Sequence, residues 1–186
     1  MIDLLDPTNV ITRMFDGENY DQLYNYCKDL LKKDPSDMLA LQNISLSLIY
    51  LKNFEEAVTY CDKVLEIKPS DAYAIKNKIF ALENLKQYDQ VLKLCEKLIQ
   101  IDPKDTWALN SMGISLNELD RHKDAILYYD TTLVIDPNDV TALMNKAISL
   151  SHLGNFQDAI DYYDLAQRID SSLREIPPAK SKLYEK

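Results

Sequence analysis

Glycine is almost missing from this chain, with three residues in 186. Phosphate loops, tight βα turns and two-residue hairpins all draw on glycine, so its scarcity points to helices joined by other means. Histidine is rarer still, at two residues. A zinc site, a catalytic triad and a phosphate loop each lack their minimum inventory, so no enzyme activity, metal or cofactor is expected. No apolar stretch approaches the ~20 residues that a membrane-spanning helix needs. Cations are outnumbered, 21 Lys and Arg against 30 Asp and Glu, for a formal net charge of −9. An acidic surface repels phosphates and anionic lipid, which excludes nucleic acid and membrane surfaces as natural partners. The opening run from Met1 to Pro7 has acids where a secretion signal carries bases, so a cytoplasmic protein is expected.

What the chain does contain is a repeat. A hydrophobic share of 46% with 27% charged residues belongs to a folded protein. Asp34-Pro35, Lys68-Pro69, Asp102-Pro103 and Asp136-Pro137 recur every 34 residues, and Asp170-Ser171 continues the series without its proline. Proline there ends one helix and suits the first turn of the next. Repeats counted from Leu4, Met38, Ala72, Thr106 and Val140 align residue by residue. Position 11 reads Met14, Leu48, Leu82, Leu116, Leu150, and position 20 reads Leu23, Ala57, Val91, Ala125, Ala159. Position 24 reads Cys27, Cys61, Cys95, Tyr129, Tyr163, and position 17, where a second helix should begin, reads Tyr20, Phe54, Tyr88, His122, Phe156. Positions 4, 7, 8 and 11 lie on one helical face, and positions 20, 24, 27 and 28 on another. The unit is therefore a pair of antiparallel amphipathic helices that can bury both faces only by stacking on its neighbours.

The period and these positions resemble the tetratricopeptide repeat family, whose pattern runs W-x2-L-G-x2-Y, then A-x3-F, then P. The repeat from Thr106 matches best, through Leu109, Met112, Gly113, Leu116, Ala125, Tyr129 and Pro137. The resemblance spans Leu4 to Ser171 and implies an all-α fold, a right-handed α-solenoid of about five stacked hairpins. The array is assigned to residues 1–171, with repeats at 4–37, 38–71, 72–105, 106–139 and 140–171. The first departs most, with Pro7 at position 4 and a shortened first helix. Residues 172–186, interrupted by Pro177-Pro178, are read as a capping helix or tail.

Cys27, Cys61 and Cys95 share one repeat position. Equivalent points on packed helices lie at least ~8–10 Å apart, beyond the ~4.4–6.8 Å that a disulfide bridges. They read as small core side chains, and free thiols suit a reducing compartment. His122 takes the place of an aromatic residue and reads as structural.

The family resemblance also implies where a partner would bind. Positions 2, 5, 6, 9, 12 and 13 of each first helix form a stripe opposite the core, which in tetratricopeptide arrays lines the concave groove. The stripe offers Leu39, Asn43 and Leu46, then Tyr73, Lys76, Asn77 and Phe80. Trp107, Asn110, Ser111 and Ile114 follow, then Met144, Asn145 and Ile148. The outward face of the second helices is charged by comparison, as in Glu55, Glu56, Asp62, Lys63 and Glu66. Apolar and aromatic groups on an exposed stripe mark a contact site, and an Asn row suits an extended peptide backbone. The expected role is a scaffold or adaptor that holds a peptide or amphipathic helix of another protein.

Two alternatives stand beside it. One is a structural subunit that self-associates, for instance as a homodimer through Leu127 and Val134, which interrupt the charged face at i, i+7. The other is the targeting domain of a larger enzyme. Co-chaperones of the family grip a C-terminal carboxylate with Lys, Asn and Arg, but the register from Met38 offers Gln42, Leu46, Asn77, Trp107 and Ser111. The registers to either side supply no fuller cationic clamp, so that role is disfavoured.

Overall fold

The structure is a computed structural model and describes residues 7–173. Among the described residues all regular structure is helical, in ten α-helices. The chain divides into two compact units, Met1–Gln87 and Tyr88–Lys186. The first holds α1 (Pro7–Asp16), α2 (Tyr20–Lys33), α3 (Met38–Tyr50), α4 (Phe54–Ile67) and α5 (Ala72–Asn84). The second holds α6 (Tyr88–Ile101), α7 (Thr106–Glu118), α8 (His122–Ile135), α9 (Val140–His152) and α10 (Phe156–Ile169). The boundary falls inside the third repeat, between its two helices. The capping segment expected over 172–186 lies outside the described residues from 174 onward.

Helix starts follow from the sequence between repeats. Asp37, Asp71, Asp105 and Asp139 stand at the N-caps of α3, α5, α7 and α9. Their carboxylates accept from the amides of Ala40, Ala74, Ala108 and Ala142 at 3.0, 2.9, 3.1 and 2.8 Å. Each satisfies one of the amides that a helix start leaves without a partner. Three residues earlier, Asp34, Asp102 and Asp136 accept from the amides of Ser36, Lys104 and Asn138, which closes the turn around the proline. The interval is thus a four-residue device of turn, proline and cap. At the end of the fifth repeat Asp170 keeps the turn with Ser172, but Leu173 replaces the capping Asp.

Inside each hairpin the first helix ends at position 15 in the left-handed region. Glu18, Lys52, Lys86 and Asp120 have φ of 54°, 59°, 57° and 57°, and Gly154 has 81°. In the second repeat the Asn53 amide bonds the Leu48 carbonyl and the Lys52 amide bonds that of Ile49, and the other four turns repeat this pairing. This closure answers the shortage of glycine, since four of five turns make it with a side chain present.

The core stripes fill as their spacing predicts. Leu41, Ile75 and Leu143 at position 4 are 1%, 0% and 1% exposed, while Ala57, Val91, Ala125 and Ala159 at position 20 are buried. A buried Leu or Ile contributes about 1.5–3 kcal/mol, against about 0–1 for an exposed ion pair, so these stripes hold the hairpins together. In the first unit α3 packs on α2, α4 and α5, and in the second α7 packs on α6 and α8, and α9 on α8 and α10. α1 is the shortest helix, ten residues against 13 in the other first helices, and Pro7 opens it.

Position 7 corrects the expectation of an unbroken apolar face. It reads Ile44, Lys78, Met112, Lys146. Each lysine lies along the core stripe and sends its ammonium to an aspartate on the preceding helix, Lys78 to Asp62 and Lys146 to Asp130. The stems pack while the heads stay paired, which a long amphipathic side chain allows and a short one does not.

Candidate functional site

In the first unit the outward stripe of α3 and α5 is part apolar, part aromatic. Tyr73 and Phe80 on α5 are 50% and 45% exposed, while Leu39, Asn43 and Leu46 on α3 and Lys76 and Asn77 on α5 are half-buried. Tyr50 at position 13 is 49% exposed and stacks on Tyr20 at 4.3 Å, with Phe15 edge-on to both. Tyr50 is absent from the residues that sequence reading selected, although it lies on the same stripe, and applying the rule through position 13 would have found it.

In the second unit the stripe of α7 and α9 is less open. Trp107 is 37% exposed, and Ile114, Met144, Asn145 and Ile148 are half-buried. Met144 and Ile148 pack against the cluster of Ala147, Leu150, Ala159 and Tyr163. Asn110 and Ser111 do not face outward, at 7% and 5% exposed. Asn110 donates to the Asp139 carboxylate at 3.0 Å, so this side chain ties α7 to the cap of α9. Gln42 reaches the Asp71 cap in the same way at 3.3 Å. Gln42 and Asn110 at position 5 thus join successive repeats. Burial alone would push the Asp71 carboxyl up, but the Ala74 amide and the Lys68 ammonium outweigh it and hold the group below the usual range.

The Asn row is partly spent on its own helices. Asn43 donates to the Leu39 carbonyl at 2.7 Å and Asn145 to that of Thr141 at 2.9 Å. Each amide keeps a carbonyl oxygen and one N–H for another group.

His122 and His152 stack at 4.4 Å across the start of α8 and the end of α9. His122 Nδ1 lies 3.1 Å from the Asn117 carbonyl oxygen, which also accepts from Ser149 at 2.8 Å. Burial and the neighbouring His152 pull the His122 pKa down, opposed by Asp120. This network joins three helices as one packed unit. Cys27, Cys61 and Cys95 are buried free thiols, and burial pushes Cys27 up to about 12 and Cys61 to about 11. Outside the stripe, Leu127 and Val134 on α8 are exposed at 64% and 83%. Among the described residues no helix is long and apolar enough to cross a membrane.

No curated protein compared with the chain matches it. Solved structures do. MamA from Desulfovibrio magneticus RS-1, residue 41 to the end, has a TM-score of 0.83 at 20% identity, over 90% of this chain and 95% of that one. Another crystal structure of MamA gives 0.80 at 17% identity, over 90% and 96%. YrrB, described as a TPR protein with an unusual peptide-binding site, gives 0.77 at 16% identity, over 95% and 89%. At such identities the likeness speaks to fold alone. The family described as the Psidin N-terminal TPR repeats region matches residues 41–162, well over half of the 186. Repeat period, hairpin geometry and family match agree: the chain belongs to this tetratricopeptide repeat family.

Proposed function

We propose that the chain is a protein-interaction scaffold whose first-helix stripes hold an apolar peptide or amphipathic helix of a partner. One observation carries the reading: Tyr73 and Phe80 on α5 and Trp107 on α7 keep 50%, 45% and 37% of their surface exposed at stripe positions. Large aromatic side chains left open on a rigid helix lose little freedom on binding and bury much area, which is why they dominate interface energies. Half-buried on the same stripes, Leu39 and Leu46 in the first unit and Ile114, Met144 and Ile148 in the second each add a shallow apolar floor. Asn110 and Ser111, largely buried, are left out of this surface. Asn43, Asn77 and Asn145, with Lys76, supply the polar groups that orient a backbone. YrrB carries a peptide-binding site by its own description, and peptide binding is proposed here on the exposed aromatics. The repeat array is proposed over residues 1–171, each unit offering its own first-helix stripe. A reducing compartment such as the cytoplasm suits three unbridged thiols.

The test is capture from an extract of the source, with wild type beside a Phe80→Glu, Trp107→Glu variant. Both substitutions place a charge on exposed aromatic sites and leave positions 4, 8, 11, 20 and 24 intact, so circular dichroism should be unchanged. The variant is expected to lose specific partners by about ten-fold or more. Equal recovery on both baits would remove the stripe as the binding surface.

The structural-subunit reading keeps one observation, the exposure of Leu127 and Val134 on an otherwise polar face.

A further inference from the structure

The last three helices enclose an open cleft of about 690 Å³, lined by Ile126 and Asp130 of α8, Lys146 and Leu150 of α9, and Asp158, Asp161, Tyr162 and Leu165 of α10. It lies across α9 from Met144, Asn145 and Ile148, because position 7 of the helix points away from positions 5, 6 and 9. We propose that this cleft is a second contact site, which takes a Lys or Arg side chain of a partner protein together with an apolar residue beside it.

The charge on the walls does not cancel. Lys146 is committed at the floor: it pairs with Asp130, bonds the Tyr162 hydroxyl, and its ammonium lies 4.0 Å from the centre of the Tyr162 ring. Asp158 and Asp161, three residues apart on α10, share a side of the helix. Asp161 accepts from Gln157 at 3.2 Å, and among the described residues neither aspartate has a cationic partner. Three carboxylates thus face one ammonium, with Ile126, Leu150 and Leu165 between them. A cleft that concentrates one sign of charge over low-dielectric walls attracts the opposite charge. The size falls in the range of ligand sites, about 300–1,000 Å³. An acidic peptide or a nucleic acid meets repulsion here, whereas a basic side chain gains two carboxylates and its apolar neighbour gains Leu165 and Ile126.

The repeat supplies an internal control. The α10 wall stands at positions 19, 22, 23 and 26. The fourth repeat has Asp124, Leu127, Tyr128 and Thr131 there, the third Gln90, Lys93, Leu94 and Lys97, and the second Glu56, Thr59, Tyr60 and Lys63. Only the fifth places two carboxylates and no cation at these positions. The packing skeleton is constant throughout, so hairpin stacking does not require Asp158 and Asp161.

Random dodecapeptides displayed on phage, panned against the full chain, test the assignment. Clones are rescored on Asp158→Asn, Asp161→Asn and on Phe80→Glu, Trp107→Glu, with thermal melts to check folding. The expected result is a class with Lys or Arg beside Leu, Ile, Val or Phe. Its binding should fall about ten-fold or more on the asparagine variant, persist on the aromatic-stripe variant, and persist on Asp158→Glu, Asp161→Glu. Absence of that class overturns the cleft as a site, as does equal binding to the asparagine variant. Loss on the aromatic-stripe variant instead assigns the peptides to the first-helix faces.

Discussion

Gly113 stands at position 8, where the other repeats carry Ile11, Ser45, Ile79 and Ala147, and the reason is the ring across from it. A Cβ at Gly113 would lie 2.4 Å from Tyr129 Cε1 and 2.6 Å from Cζ. Tyr129 is fully buried and cannot swing aside. Position 24 pairs with position 8 in the register, and in four of the five repeats the two trade volume: Ile11 and Ile79 go with Cys27 and Cys95, while Gly113 and Ala147 go with Tyr129 and Tyr163. The cysteines therefore belong to packing, and the raised pKa of the Cys27 and Cys61 thiols makes these two poor nucleophiles. Gly113→Ala should destabilise the protein by about 1–3 kcal/mol through overpacking, although alanine is the better helix former by about 1 kcal/mol. In a Tyr129→Cys background the same change should be neutral or stabilising, because the ring is gone and propensity remains. Urea midpoints of the four proteins give the coupling. A Gly113→Ala single variant as stable as wild type would mean that the ring is not the obstacle.

Among whole elements, the first helices contain a pairing that pattern reading passes over. A face is assigned by its majority, so two lysines among Ile44 and Met112 look like noise at position 7. Their meaning depends on the neighbouring helix, where Asp62 and Asp130 wait at position 25. Burial disfavours the charged form of Lys146, but Asp130 and Tyr162 outweigh it and raise its pKa. Lys146 consequently stays charged through the neutral range. Lys146→Met copies what Met112 already does one repeat earlier. It leaves Asp130 beside open solvent, its side chain 48% exposed, and should change stability by no more than about 1 kcal/mol. Asp130→Ala leaves an ammonium in a residue only 8% exposed with the Tyr162 hydroxyl as its remaining side-chain hydrogen-bond partner among the described residues, and should cost about 1–2 kcal/mol. Chemical denaturation of both variants compares the two, and a larger loss for Lys146→Met would reverse the assignment of which partner needs the other. The turns show a similar limit of legibility. Scarce glycine indicated a different joint, but only the backbone shows Lys52 and Lys86 in the left-handed region.

At the level of the molecule, the period of 34 was legible because proline and the core positions mark every repeat independently. Helix starts at Tyr20, Phe54, Tyr88, His122 and Phe156 fall at position 17 as the alignment requires. The stripe was legible only as a set of positions. Whether Asn110 is a contact or a tie depends on the distance to Asp139, 29 residues away, and no periodicity contains that distance. The same reasoning separates the scaffold reading from self-assembly. Leu127 and Val134 are exposed at i, i+7 on α8, but two side chains cover far less than the ~1,200–2,000 Å² that a stable interface buries. The net charge of −9 also sets like-charged copies against one another at low salt. Sedimentation over a concentration series should therefore return the monomer mass throughout. A mass that rises with concentration, and falls back in Leu127→Lys, Val134→Lys, would make this face an interface between copies and give the structural-subunit reading priority over the scaffold.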